Sequence, residues 1–161
     1  MMTDTPRHAG GRRIPLLPVD EARRRAVVVG IPEVMADLSV FRTLLHQPGA
    51  AAAINGMLHA LLWKGTLNAR LRELLIMRIG WTCGSVYEWT QHWTVALAVG
   101  VPPEDVLSVR DWPNHDGFDE LDRAVLAATD ESLTDGRISD ATWAVCAGHL
   151  SEAQLVELVV E

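Results

Sequence analysis

The sequence predicts an all-α protein, and three observations carry the prediction. Apolar residues recur at three- and four-residue intervals along most of the chain, as they do on one face of a helix. Capping and terminating residues punctuate these stretches, with Asp20, Ser85 and Ser151 at starts and Gly30, Gly100 and Gly136 at ends. No stretch shows the strict polar-apolar alternation of a half-buried strand. The helices are expected to pack as a bundle.

A chain of 161 residues can bury a sizeable core. Residues 15–161 are expected to form one helical domain behind a flexible arm at 1–14, where basic residues mix with Gly10 and Gly11. A net charge of −7 argues against a nucleic-acid partner, because phosphate contacts need a clustered basic surface. The apolar runs fall far short of the roughly 20 residues that a membrane-spanning helix requires. The opening MMTDTPRHAGGRR lacks the apolar core of a signal peptide, and Cys83 and Cys146 cannot build a disulfide framework. A cytoplasmic location is therefore expected.

Taken in order, Asp20 is placed to cap a brief helix, EARRRAVVV, that Gly30 ends. Arg23, Arg24 and Arg25 read as a solvated basic face. Pro32 opens a helix at about Glu33 whose apolar positions Met35, Leu38, Phe41, Leu44 and Leu45 keep the helical repeat until Gln47-Pro48-Gly49 breaks it. A small-residue helix follows from Ala50 to Trp63, closed by Lys64-Gly65. After the central pair described next, a short helix runs from Pro103 to about Val109, and residues 110–117 read as a loop. Phe118 to Leu133 is amphipathic, with Leu121, Val125 and Leu126 inward. Ser139 or Asp140 caps the helix TWAVCAGHL, and Ser151 with Gln154 forms a capping box for the last one.

The informative stretch is Thr66 to Gly100, two helices joined at a Cys83-Gly84 corner. The first, Leu67 to Trp81, is apolar on most sides, which marks a buried helix, so its Glu73 and Arg78 both need partners. An ion pair between them is one option, and a role in a site is another. On the second helix Ser85, Glu88 and His92 share a face, because residues three and four apart stack above one another. Trp89 and Trp93 lie beside that face, while Tyr87 and Thr94 point away. Ser85-x-x-Glu88 also reads as a capping box, and Glu88 with His92 as a simple i,i+4 pair. Trp81, Trp89 and Trp93 suit core or interface packing, and the cysteines suit small apolar positions. The other histidines show no metal-ligand spacing, so no metal is predicted.

The segment RELLIMRIGWTCGSVYEWTQHWTVALAVGV, Arg72 to Val101, resembles the central helix pair of the carboxymuconolactone decarboxylase and alkylhydroperoxidase D-like family. The stretch from Phe118 to Val159 is similar to the C-terminal part of that family. The resemblance implies a helical homo-oligomer, a trimer or hexamer, with sites near subunit contacts. In the peroxidase branch a Cys-x-x-Cys precedes the His, with an acid on the preceding helix. Here the acid position falls on Glu73 and the His on His92, but the cysteine positions hold Ser85 and Glu88. Cys83 lies two residues before the first of them, without a partner at the required spacing. A thiol peroxidase needs an attacking thiolate and a resolving thiol, which disfavours that activity here. The pattern of Tyr87, Glu88 and His92 is more similar to the decarboxylase branch, which implies cofactor-free acid-base chemistry on a lactone acid or a related carboxylic acid. The expected catalytic residues are His92 as proton carrier, Glu88 one turn before it, and Glu73, which burial would push towards the neutral acid. Ser85, Tyr87 and Trp89 are the expected substrate contacts. A non-catalytic oligomeric scaffold of the same fold is the alternative outside enzymology.

Overall fold

The computed structural model describes residues 13–161, so most of the expected arm lies outside the described residues. The described residues are helical, with no strand among them. They divide into two compact units, residues 13–60 and Leu61–Glu161, each with its own core.

In the first unit, helix α1 (Val19–Val28) starts after Pro18, whose carbonyl receives the Ala22 amide. Asp20 is therefore not the cap but sits in the first turn, where a carboxylate opposes the positive end of the helix. Gly30, at φ 73°, takes the left-handed conformation that ends the helix, as the sequence predicts. The single helix expected from Glu33 is two, α2 (Glu33–Ala36) and α3 (Ser39–Leu44), because Leu38 between them is extended. Both Asp37 oxygens are taken at 2.8 Å by Arg23, which anchors the break to α1. The apolar spacing runs through this break unaltered because both short helices face one core, where Phe41 and Leu45 join Ala22, Ala26 and Ala51. Gln47-Pro48-Gly49 does more than interrupt. The Gln47 side chain accepts the Ala50 amide at 2.6 Å, and Pro48 opens α4 (Pro48–Leu58) where a missing amide costs least. A π-helical turn, His59–Trp63, carries the chain onward.

The second unit contains α5 (Ala69–Thr82), α6 (Val86–Ala98), α7 (Pro103–Ser108), α8 (Glu120–Asp135), α9 (Asp140–His149) and α10 (Glu152–Val160). The expected loop after α7 begins as a 3₁₀ segment, Val109–Asn114, kinked at Asp111. Asp119 and Asp122 form a reciprocal capping box for α8, Ser139 caps α9, and the Ser151–Gln154 box caps α10 as expected.

Helix α5 is apolar nearly all round because it lies between two cores. Leu67, Leu71 and Leu75 face Val125, Ala128, Cys146, Leu155 and Leu158. Leu74 and Met77 face Ala96, Val101, Val106, Phe118 and Leu126. Burying each such side chain contributes about 1.5–3 kcal/mol, so α5 is the element around which the unit condenses.

Ion pairs then fix the register. Arg78 does not meet Glu73. It reaches Asp130 of α8 at 2.6 and 2.8 Å and donates to the carbonyls of Val109 and Arg110, while the Trp112 indole donates to the same Asp130 carboxylate at 2.9 Å. Arg70 joins Asp105 and Asp122, and His115 lies 2.9 Å from the other Asp105 oxygen.

Glu157 of α10 caps the approach to α5, accepting the amides of Thr66 at 2.8 Å and Leu67 at 2.6 Å. The Thr66 amide above all holds the Glu157 carboxyl below the usual carboxylate range, helped by the Leu67 amide and the Thr66 hydroxyl and opposed by burial. A depressed folded-state value means stabilisation that is complete above the unfolded value of about 4.3 and is lost as pH falls through the folded one. Glu157→Gln is therefore expected to lower the melting temperature at neutral pH, with the gap to the parent closing below about pH 4. Melting curves of both proteins between acid and neutral pH check this, and a gap that does not change with pH would count against it.

Candidate functional site

The turn between α5 and α6 sets the site. Gly84, at φ 65°, lets the chain reverse, and the Ser85 amide donates back to the Gly80 carbonyl at 2.8 Å. Gly80 permits the close approach that follows: a Cβ there would stand 3.3 Å from Glu88 Cβ and 3.4 Å from the Trp89 amide nitrogen. With α6 drawn against α5, His92 is brought beside Glu73.

Glu73 is 1% exposed, and its Oε2 lies 2.8 Å from His92 Nδ1. A carboxylate buried this deeply is costly without a partner. It has two. Besides His92, the Arg72 guanidinium lies 3.5 Å from Oε1, as an ion pair rather than a hydrogen bond, since Arg72 Nε is buried without a hydrogen-bond partner. On the far side of the ring, His92 Nε2 faces Glu88 Oε2 at 3.7 Å, and the Glu88 side chain is partly exposed to solvent. The three expected catalytic residues thus form a line from the interior of α5, through an imidazole, to a carboxylate at the surface.

Ser85 caps α6, its Oγ accepting the Glu88 amide at 3.3 Å. The capping box is only half made, because the Ser85 amide is taken by Gly80 and the Glu88 carboxylate turns to His92. Ser85 and Trp89 line a cavity of about 410 Å³ with Gly80, Trp81, Leu107 and Arg110. Tyr87 is half-buried on the other side of α6 and does not line it.

Two residues near Glu73 had no signal in the sequence. Arg72 is next to Glu73 in the chain, but consecutive side chains on a helix diverge by about 100°, so adjacency does not read as a pair. Glu161 lies far along the chain, in no periodic relation to α5. Its Oε1 is buried without a hydrogen-bond partner. Burial pushes its carboxyl above the usual range, with Glu73 acting in the same direction and Arg72 and His92 against it. Glu161 also lines an apolar cavity of about 340 Å³ with Leu75, Ile79, Leu158 and Val160.

Cys83 is exposed and Cys146 buried, both as free thiols. Among the described residues no three His, Cys, Asp or Glu side chains are grouped to hold a metal ion, and no helix is long and apolar enough to cross a membrane.

Residues 48–131, just over half of the chain, match the sequence profile of the carboxymuconolactone decarboxylase family. The match takes in Glu73, Ser85, Glu88, His92, Arg110 and Asp130. No curated protein and no solved structure matches the chain.

Proposed function

The chain belongs to the carboxymuconolactone decarboxylase family, and on that footing we propose that it is a small-molecule lyase. It removes CO₂ from an unsaturated lactone acid, or a related carboxylic acid, by acid-base catalysis without a cofactor. The observation that carries this reading is the buried Glu73 at 2.8 Å from His92 Nδ1, with the opposite ring nitrogen facing outward towards Glu88.

Chemistry follows from that line of three groups. With Nδ1–H donated to the Glu73 carboxylate, the ring is fixed in orientation and Nε2 is left for proton traffic. In the substrate the bond from carbon to its carboxylate breaks, and the electron pair passes into the conjugated lactone as CO₂ leaves. The imidazolium Nε2–H then delivers its proton to carbon, and Glu88 recharges the ring from solvent. Glu73 offsets the imidazolium charge throughout. Ser85 and Trp89, together with the cavity beside them, hold the substrate. The thiol peroxidase alternative has the weaker support, since Ser85 and Glu88 stand at the two cysteine positions.

The two free thiols suit a reducing compartment such as the cytoplasm. The apolar side chains of Val86, Val95, Leu97 and Val99 left open on and just beyond α6 suit a homo-oligomer.

The test is incubation with a panel of unsaturated lactone acids in D₂O. Catalysed CO₂ release with one solvent deuterium bound to carbon of the conjugated system in the product is expected. Release at the uncatalysed rate across the panel would remove the lyase reading.

A further inference from the structure

The cavity beside the α5–α6 turn has a chemistry of its own. Trp81 and Trp89 form its aromatic wall, with ring centroids 5.7 Å apart and planes inclined at 58°. Such a corner lets a flat ring lie on one indole while its edge meets the other. Leu107 and Val86 complete an apolar lining. The volume of about 410 Å³ falls within the roughly 300–1,000 Å³ of small-molecule sites.

One cation stands at this wall. The Arg110 guanidinium carbon lies 5.7 Å from the Trp81 ring centroid, and Nε donates to the Leu107 carbonyl at 2.7 Å. Arg70, Arg72 and Arg78 each have a carboxylate within 4 Å, whereas Arg110 has none among the described residues. Its two terminal nitrogens, the pair that grips a carboxylate with two parallel bonds, are therefore uncommitted. Ser85 adds a second donor. Its Oγ accepts from the Glu88 amide, which leaves the hydroxyl proton to give. A fixed cation excludes cationic ligands, and the inclined indoles favour flat ones.

We propose that this cavity is the acid-recognition pocket of the protein, taking a flat, unsaturated or aromatic monocarboxylate whose ring lies against Trp81 and Trp89 and whose carboxylate is held by Arg110 and Ser85. The proposal names a substrate class for the site on α6, and it rests on the reading above for what the bound acid then undergoes. Position supports the link. On α6, Ser85 lies within about 60° of both Glu88 and His92, and Trp89 within about 60° of His92, by the 3.6-residue turn. Gly80, which lines the cavity, is also the point where α5 touches Glu88. The net charge of −7 repels anions at a distance, so selection of an acid has to come from a local contact of this kind.

The probe is benzoate, with neutral benzamide as its control, titrated into the full chain while the tryptophan indole N–H resonances are followed by NMR. Trp81→Phe and Trp89→Phe assign the two signals, and Trp143 on α9 serves as a remote reference. Saturable shifts confined to Trp81 and Trp89 are expected, with a dissociation constant of roughly 1 mM or tighter. Arg110→Gln should weaken binding by about tenfold or more, as loss of a charged hydrogen-bond partner does, and Arg110→Lys should fall between. Because Arg110 is exposed, an unchanged spectrum of the free variant will show that it folds. Equal binding of benzamide and benzoate, indifference to Arg110→Gln, or no saturable shift would overturn the pocket. Benzoate binding in a protein that releases no CO₂ would leave the pocket standing and remove the lyase reading. CO₂ release without benzoate binding would do the reverse.

Discussion

Replacing His92 by alanine is expected to lower kcat on whichever acid the parent decarboxylates by about 10²–10⁴-fold, the usual worth of a positioned acid-base group. The loss should fall on kcat more than on KM, since His92 lies outside the cavity that Ser85, Trp81 and Arg110 line. Glu73→Gln keeps a side chain of the same shape against Nδ1 but removes the charge that answers an imidazolium. Its activity is expected between that of the parent and His92→Ala. Glu88→Gln, at the solvent end where water can carry a proton instead, should be the mildest. Steady-state kinetics of the three variants check the order, with urea midpoints measured alongside to separate chemistry from folding. If His92→Ala kept activity within a few-fold of the parent, the histidine would be a packing residue and the reaction would belong elsewhere.

The neighbourhood of Glu73 and His92 was legible because helix geometry translates directly into spacing. Glu88 and His92 one turn apart must share a face, and a lone acid in the apolar Leu67–Trp81 stretch must have a partner. Which partner was not legible. Arg78 is nearer to Glu73 along the helix than Asp130 is along the chain, yet α8 supplies a carboxylate in a better position for two parallel bonds. Pairing across elements depends on how helices dock, and local spacing carries no record of that. The break at Leu38 was hidden for a related reason, since apolar periodicity reports which face meets the core and both short helices meet the same one. A cap is legible where the side chain has one use, as at Ser151, and less so at Ser85, whose capping partner Glu88 has a second demand from His92.

Asp130→Ala is expected to be among the more damaging single changes in the Leu61–Glu161 unit, at about 1–3 kcal/mol, the cost of leaving part-buried donors without their acceptor. One carboxylate there satisfies both the Arg78 guanidinium and the Trp112 indole, so its removal strands two donors at once. Arg78 is 15% exposed in its side chain and cannot swing into water without leaving the carbonyls of Val109 and Arg110. Asp130→Asn should cost less, since the amide oxygen still accepts one bond. The paired change Arg78→Met with Asp130→Leu should recover much of the loss, because it leaves no charge unanswered. All six tryptophans fall within residues 61–161, so the urea midpoint followed by tryptophan fluorescence reports this unit by itself. A loss below about 1 kcal/mol, the range of a surface pair, would show that the contact is solvated rather than structural.

The grip of Glu157 on the Leu67 amide spans 90 residues of chain. At a synthesis rate of about 5–20 residues per second, the segment that opens α5 waits roughly 5–20 s on the ribosome before its cap exists. For most of that interval the Leu67, Leu71 and Leu75 stripe lacks α8, and for all of it the stripe lacks the completed α10. The stretch that later carries Glu73 is thus an exposed apolar surface in the nascent protein. Closing so long a loop is slow as well as late, because its entropy is lost before the contact repays it. Folding yield, as much as final stability, then hangs on a carboxylate that touches no reacting atom.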